Sequence, residues 1–354
     1  MALTVLQVAY PFAPVTPDAV GGAEQVLSMI DRGLRARGHR SLVVACQGSK
    51  VAGRLIAGPA VPERVDGAAR ERVWQEYRQR IAASLLEWRV DVAHFHGLDF
   101  FEYLPAAAVS TLVTLHLPIA WYPPDAVRPE PPVHVQCVSA FQRGTCPPDV
   151  PVRAVIENGV DLDALRPCPD VKGDYFLALG RICPEKGYEI ALDAAKAAGI
   201  ALIIAGETFP YPEHQRYLEA QIRPRLDARR RLIGPVGGPT KRGLLARARA
   251  LVVPSQVAET SSLVAREALA SGTPVIAFRR GALCDVVEPG RTGVLVDDAS
   301  ELPRAFQDAA RLDPMACRRA ALSRFDARVM LDRYVALYHA LVREAVSGVE
   351  RRAS

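Results

Sequence analysis

The sequence lacks the features that mark several classes of protein. No apolar run in the 354 residues approaches the ~18–20 that a membrane-spanning helix needs. The N-terminal segment has neither a basic stretch nor a small-residue cleavage site, which argues against a secretory signal. The seven cysteines are scattered and never stand in a CxxC pair, which argues against a disulfide framework or a zinc site. We therefore expect a globular, cytoplasmic protein that binds no metal.

The net charge and the distribution of charged residues exclude few classes of protein and predict few partners. The net charge of +5 is too small to predict a nucleic-acid partner, and we expect none. Only five of the 44 basic residues are lysine, as a GC-rich genome would produce. The densest basic cluster comprises Arg223, Arg225, Arg229, Arg230 and Arg231. It is either a solvated helix face or a surface for peripheral contact with an anionic membrane.

Short apolar runs alternate with segments of helical period, which is typical of buried parallel strands with helices between them. The predicted strands are 5–9, 42–46, 92–96, 112–115 and 135–138, then 176–179, 201–205, 251–253, 275–277 and 294–296. The predicted helices are 23–37, 71–87, 190–198, 241–248, 263–270 and about 326–345. The length and the two alternating stretches predict two doubly wound α/β domains that meet near Asn158–Asp170. A single eight-fold barrel fits worse, because the proline-rich stretch 118–132 interrupts its rhythm.

Two features of the first half stand where ligands bind in such sheets. Gly21 and Gly22 follow the first strand and open a helix, so free amides could face an anion, although the GxGxxG fingerprint is absent. His116 ends a strand at the carboxyl edge of the sheet, where either a functional or a structural role is possible. His94 and His96 lack a third ligand of suitable spacing, so no metal site is expected there.

Two further segments lie in the second half. Arg181 and Lys186 stand on a glycine-bounded loop after a strand and could hold a diphosphate, or could simply be exposed cations. In the segment that follows Pro254, Glu259 precedes a helix and Glu267 lies two turns into it. We expect the helix to begin near Ser261, with serine caps and free amides facing a phosphate.

Taken in order, these motifs resemble glycosyltransferase family 4. The similar segments are GGAE, GLRARGHR, DVAHFHG, LVTLH, VIENGVD, LGRICPEKG and ETSSLVAREALASGTPVIAF, and they span nearly the whole chain. The resemblance implies the GT-B fold, an α/β architecture of two Rossmann-like domains that face a cleft. Residues 1–160 would form the acceptor-side domain, together with a final helix at about 328–354 that crosses back to it. Residues 161–327 would form the donor-binding domain.

The resemblance also implies roles for single residues. Arg181 and Lys186 would hold the donor diphosphate, Glu267 the ribose and Glu259 the transferred sugar. His116 would lie beside the reacting centre and, with Glu259, is expected to be catalytic. The remaining donor-binding residues are expected to be Gly21, Gly22, Val236, Thr260, Ser261, Ser262, Leu263 and Val264.

The implied activity is retaining, metal-independent transfer from a UDP- or GDP-sugar to a hydroxyl of a glycan, lipid or small molecule, with no other cofactor. A GT-B epimerase or phosphorylase, or a non-catalytic sugar-nucleotide binding module, is the alternative. Two segments depart from the family pattern. Thr260, Ser261 and Ser262 stand where the family often has Gly or Pro and then Phe-Gly, and the segment 206–212 replaces a GxGP turn. Trp121 and Tyr122, in the proline-rich stretch, are candidates for an acceptor wall.

Overall fold

The computed structural model describes residues 2–106 and 109–353, and only the backbone of 348–353. Residue contacts divide the chain into two compact units. Unit 1 comprises Met1–Asn158 and Arg328–Ser354, and unit 2 comprises Gly159–Ala327. Each unit is built on one parallel sheet. No helix among the described residues is long and apolar enough to cross a bilayer.

Unit 1 contains a seven-stranded parallel sheet in the order β3-β2-β1-β4-β5-β6-β7. The strands are β1 (Thr4–Val8), β2 (Arg40–Ala45), β3 (Arg54–Ala57), β4 (Val92–Phe95), β5 (Ser110–Leu115), β6 (Val133–Cys137) and β7 (Val152–Val155). The helices between them are α1 (Gly22–Ala36), α2 (Gly67–Glu87) and α3 (Ala140–Thr145). The central strands are buried on both faces, which explains why they appear in the sequence as continuous apolar runs.

Unit 2 contains a six-stranded parallel sheet in the order β10-β9-β8-β11-β12-β13. Its strands are β8 (Phe176–Leu179), β9 (Leu202–Ala205), β10 (Arg230–Leu232), β11 (Leu251–Val253), β12 (Val275–Phe278) and β13 (Gly293–Val296). Its helices are α4 (Tyr188–Ala197), α5 (Pro212–Tyr217), α6 (Gly238–Arg247), α7 (Leu263–Ala270), α8 (Leu283–Val286), α9 (Leu302–Ala309) and α10 (Pro314–Arg324). The order of the strands reverses between β8 and β11, and ligands bind at such points in open α/β sheets.

The last helix, α11 (Ala327–Ala353), packs on the sheet of unit 1. Tyr334 and Tyr338 are fully buried, and their hydroxyls bond to polar groups of that sheet. The Tyr338 hydroxyl lies 2.7 Å from Nδ1 of His94, and the amide of Gln136 donates to the Tyr334 hydroxyl at 2.8 Å. These bonds satisfy polar groups that would otherwise be costly to bury, and they fix the helix against β4 and β6.

The sequence predicted ten of the strands, and the structure contains all ten with ends shifted by at most two residues. It missed β3, β7 and β10, which are edge strands of the two sheets. These three strands contain arginine and have partly exposed residues, so they carry no long buried apolar run. The fourth edge strand, β13, is mostly buried and was predicted. The short helices α3, α5 and α8, and the longer α9 and α10, were also missed.

The arginine cluster is not one helix face, so that interpretation was wrong. Arg230 and Arg231 belong to strand β10, whereas Arg223 and Arg225 lie in a short 3₁₀ turn before it. Three members form ion pairs with carboxylates of unit 2, in the pairs Arg223–Glu219, Arg225–Asp193 and Arg230–Asp227. This pairing reduces the positive charge that the cluster would present to an anionic membrane.

Candidate active site

The loops at the carboxyl ends of β8 and β11 bring a lysine and a glutamate of unit 2 together. Lys186 Nζ lies 2.6 Å from Oε1 of Glu259, and the two side chains are only 21% and 12% exposed. The backbone N–H of Gln256 donates to the Glu185 carbonyl at 2.8 Å, which joins the two loops. Gly187 adopts φ 62°, and a Cβ there would lie 2.3 Å from the Pro254 carbonyl oxygen. Only glycine allows this close approach of the loops.

Glu259 is held as a carboxylate. Burial raises its pKa, but Lys186, a hydrogen bond from the Ser255 hydroxyl and the nearby Arg181 outweigh burial, so its pKa lies below the ordinary value. Its backbone is fixed from the other side by the loop after β12. The N–H of Ala282 donates to the Glu259 carbonyl at 2.8 Å, and Gly281 adopts φ 63° against the same backbone. The carboxylate therefore has a fixed position and a fixed charge.

A second lysine–glutamate pair lies between helices α6 and α7. Lys241 Nζ lies 2.6 Å from Oε1 of Glu267, with side-chain exposures of 15% and 11%. The other carboxylate oxygen of Glu267, Oε2, is buried and accepts no hydrogen bond. An unsatisfied buried carboxylate oxygen is costly, so this atom is a strong acceptor for hydroxyl groups of a ligand.

Helix α7 begins in an unusual conformation. It starts at Leu263, and Ser262 before it adopts φ 53°, the one positive φ of a non-glycine residue among the described residues. The predicted serine caps are therefore wrong. Ser262 is the N-cap residue, but its backbone is left-handed, whereas a capping serine is usually extended, and its hydroxyl makes no capping hydrogen bond. The hydroxyls of Ser261 and Ser262 are both buried and have no hydrogen-bond partner.

We predict that Ser262→Gly stabilises the fold. Glycine adopts a left-handed conformation without steric cost, so relief of strain in the folded state should outweigh glycine's greater entropy when unfolded, by about 1 kcal/mol. Thermal and denaturant unfolding measure the change. Ser261→Gly is the matched control, because it also removes a buried unpaired hydroxyl but relieves no positive φ. Equal shifts in both variants would contradict the strain argument.

Arg181 lies on the same loop as Lys186, and its guanidinium carbon stands 5.6 Å from the ring centroid of Phe209. This cation–π contact joins the loop after β8 to the segment 206–212 that replaces the family's usual turn. Val236 is half-buried between β10 and α6, and Thr260, Leu263 and Val264 flank the serine pair. The structure thus gathers Lys186 with Glu259, and groups Glu267 with Lys241 in the same unit.

In unit 1, the half-buried His116 belongs to a group with two fully buried histidines. Its Nε2 lies 3.0 Å from Nδ1 of His96, and the ring of His96 lies 4.0 Å from that of His94, centroid to centroid. Burial lowers the pKa of His116 to about 3 and holds the pKa values of the other two well below the ordinary range. All three imidazoles are therefore neutral near neutral pH. Nε2 of His96 is buried and has no hydrogen-bond partner.

Gly21 and Gly22 stand at the start of α1, with Gly21 as N-cap residue. A Cβ on Gly21 would lie 1.8 Å from Oε2 of Glu24, so the glycine makes room for a carboxylate in the first turn. A phosphate at this helix terminus would meet the like charge of Glu24. The phosphate contact expected of Gly22 remains a prediction.

Sequence reasoning missed Lys241 and Ser255, although one signal pointed to Lys241. Lysine is rare in this chain, and three of its five lysines make buried or partly buried contacts. The third, Lys172, donates to the carbonyls of Ala246 and Gly272 and to the Thr273 hydroxyl. In an arginine-rich chain, a lysine is therefore worth examining as a candidate for a specific contact of a compact ammonium group.

Comparison with known proteins agrees with the architecture. Residues 20–164 match the family model described as Glycosyltransferase Family 4, and residues 173–311 match the one described as Glycosyl transferases group 1. AviGT4, a glycosyltransferase involved in avilamycin A biosynthesis, shares 26% identity at a TM-score of 0.70, over 96% of this chain and 98% of its own. An Anabaena protein, HepE, solved with UDP and glucose, shares 18% identity at a TM-score of 0.71, over 95% and 99%.

Curated relatives of the chain are also named as glycosyltransferases. The phosphatidyl-myo-inositol mannosyltransferase of Mycobacterium leprae is 27% identical over 95% of this chain and 96% of its own length. A D-inositol 3-phosphate glycosyltransferase of Mycobacterium avium is 32% identical over 56% and 51%. The two parallel sheets and these matches define a glycosyltransferase of the GT-B fold, as predicted. The chain belongs to the group 1, family 4 glycosyltransferases.

Proposed function

We propose that the chain transfers a sugar, with retention of anomeric configuration, from a UDP- or GDP-sugar to a hydroxyl acceptor, and that unit 2 holds the donor. The observation that carries the donor assignment is the Glu267 carboxylate. Lys241 occupies one of its oxygens, while the other is buried and unpaired. A ribose offers two adjacent hydroxyl donors, which suit such an acceptor.

The diphosphate would lie against positive charge and free donors of the same unit. Arg181 and Lys186 supply two cations, and the hydroxyls of Ser261 and Ser262 at the start of α7 lack partners. Departure of a nucleoside diphosphate builds negative charge, which cations and a helix N-terminus stabilise. Lys186 also holds Glu259, so one ammonium group would connect the phosphates to the carboxylate that we assign to the transferred sugar.

A thermal-shift panel of UDP, GDP, ADP and their sugars tests the donor class. A ligand that binds the folded state raises the free energy of unfolding by mass action, by about 2.7 kcal/mol at 100 times Kd, and so raises the unfolding temperature. We expect UDP or GDP, with its sugar, to stabilise the protein more than ADP does. Stabilisation by none of them, with and without magnesium, would contradict the proposal. Hydrolysis or epimerisation of the sugar nucleotide without an acceptor would favour an epimerase, and dependence on free phosphate a phosphorylase.

A second prediction tests the role of Glu267. Glu267→Gln keeps the shape of the side chain but weakens its acceptor, so nucleotide affinity should fall by about tenfold, as loss of one charged hydrogen bond implies. The same substitution should have a much smaller effect on the 2′,3′-dideoxy nucleotide, which has no hydroxyls to donate. Isothermal titration of both ligands measures the difference. Exposed Glu219→Gln is the control, and equal losses for both ligands would refute the ribose contact.

A further inference from the structure

One cluster of side chains in unit 2 has no place in the proposed donor site. Cys183 lies in the loop after β8, Glu185 lies two residues further along, and His214 lies on α5. One ligand atom from each lies within 4.8 Å of the other two. It is the one such group of potential metal ligands among the described side chains, those of residues 2–106 and 109–347. His214 is distant from the other two in sequence, so their spacing gave no sign of a metal site.

Two backbone bonds hold the two segments together. The N–H of Gly180 donates to the Ala205 carbonyl at 3.1 Å, and the N–H of Ile182 donates to the Glu207 carbonyl at 2.9 Å. Gly206 has no side chain to separate them, because a Cβ there would lie 1.7 Å from the Gly180 carbonyl oxygen. The loop after β8 and the segment after β9 therefore lie in register, which brings Cys183 to His214.

Hydrogen bonding within the protein does not satisfy this cluster. The side chains of Cys183 and His214 are 1% and 6% exposed. The thiol lies 3.7 Å from the Arg181 carbonyl oxygen, which makes only a weak bond. Nδ1 of His214 is buried and has no hydrogen-bond partner. A buried imidazole nitrogen without a partner is costly, so a ligand that occupies it would stabilise the structure.

We propose that Cys183, Glu185 and His214 bind a zinc-class divalent cation, which fastens the loop after β8 to helix α5. A thiolate, an imidazole and a carboxylate are three ligand types that zinc prefers. The two anionic ligands balance the charge of the cation. Metal–ligand distances of about 2.0–2.3 Å place tetrahedral ligands roughly 3.5 Å apart, so the widest pair closes by little more than about an ångström.

The site goes beyond the proposed transfer reaction and does not depend on it. Two of its ligands, Cys183 and Glu185, lie between Arg181 and Lys186 in the sequence. The cation would therefore hold in place the loop that carries these two cationic residues. Burial raises the pKa of the Cys183 thiol to about 11, so the bound cation itself must displace this proton into solvent. Burial lowers the pKa of His214, which leaves its imidazole in the neutral, ligating form. Three protein ligands leave the fourth position to water or to an oxygen of another ligand.

Metal titration of the full chain tests the site. The tag-free, chelator-treated protein is titrated with Zn²⁺ in competition with a chromophoric chelator, and we expect one high-affinity equivalent that excess Mg²⁺ does not displace. Cys183→Ser and His214→Gln should each weaken this binding by about 100-fold or more, since loss of outer-shell partners alone costs 10–100-fold. Cys284→Ser, which removes an exposed thiol outside the cluster, should leave it unchanged.

A second measurement covers the case in which a variant does not fold. Co²⁺ bound to the wild-type chain should give a thiolate charge-transfer band and the visible absorption of a tetrahedral site, and Cys284→Ser should keep both. Zinc should also raise the unfolding temperature of the wild type by mass action. Absence of the thiolate band at saturating Co²⁺, or zinc binding that survives in Cys183→Ser, would overturn the proposal.

Discussion

Lys186→Met is expected to destabilise unit 2 and to weaken nucleotide binding at the same time. Methionine keeps most of the unbranched, flexible stem of lysine but leaves the Glu259 carboxylate without its cation. Breaking a buried ion pair costs about 3–5 kcal/mol, and we expect about 2–3 kcal/mol here because a fifth of the lysine side chain is exposed. Loss of a charged contact to the diphosphate should also lower nucleotide affinity by about 10- to 100-fold.

The destabilisation should depend on pH in a defined direction. In the wild type the pKa of Glu259 lies below its ordinary value of 4.5, so its ionised form contributes stability above that pH, which is lost as the pH falls through the folded pKa. Without Lys186, burial should raise this pKa above 4.5, so that ionisation opposes folding at neutral pH. Unfolding at pH 7 and at pH 4 should therefore show a large difference between variant and wild type that shrinks in acid.

Lys196→Met serves as the matched control for Lys186→Met. Lys196 is exposed on α4, so its replacement should change stability by no more than about 0.5 kcal/mol and should leave nucleotide affinity unchanged. A destabilisation by Lys186→Met that is the same at both pH values would mean that Lys186 acts through packing. The assignment of Lys186 as the counter-ion of Glu259 would then be wrong.

The sequence predicted every interior strand of the two sheets but missed three edge strands, and burial explains the difference. A strand such as β8 is buried on both faces, so four consecutive apolar residues identify it. Strand β10 is Arg-Arg-Leu, and nothing in those residues favours a strand. It forms because Arg230 and Arg231 pair with the backbone of β9, a contact that is visible only in the folded chain.

For the site, the sequence indicated charges but not the way they are paired. Glu259 and Glu267 were visible as a pair of carboxylates. Their partners, Lys186 in the loop after β8 and Lys241 on helix α6, are joined to them only by the fold. The strain at Ser262 was equally hidden. A serine before a helix usually caps it, and only the backbone shows that this one is left-handed instead. The sequence indicated the local preferences of its segments, but it did not reveal which residues that are distant along the chain lie together in the fold.

His116→Ala is expected to reduce transfer strongly while sparing nucleotide binding. The proposed role of His116 is beside the reacting sugar, where a fixed hydrogen bond made mainly in the transition state is worth about 10²–10³ in kcat. Nucleotide affinity, measured by the same thermal-shift panel, should change little. His134→Ala is the control, because it removes a half-buried histidine of β6 outside this group. A loss of nucleotide binding that matches the loss of turnover would show that His116 instead supports the fold or the donor.

The pH profile distinguishes the mode of action of His116. Because its pKa lies at about 3, the imidazole is neutral throughout the range from pH 5 to pH 8 and can act there only as a hydrogen-bond donor or acceptor. The pH profile of turnover should therefore contain no limb near pH 6.5 that is present in the wild type and lost in His116→Ala. Such a limb would mean that the histidine becomes protonated during the reaction cycle and acts as an acid or a base. Absence of that limb, together with a large fall in kcat, would place the effect of His116 in positioning and electrostatics.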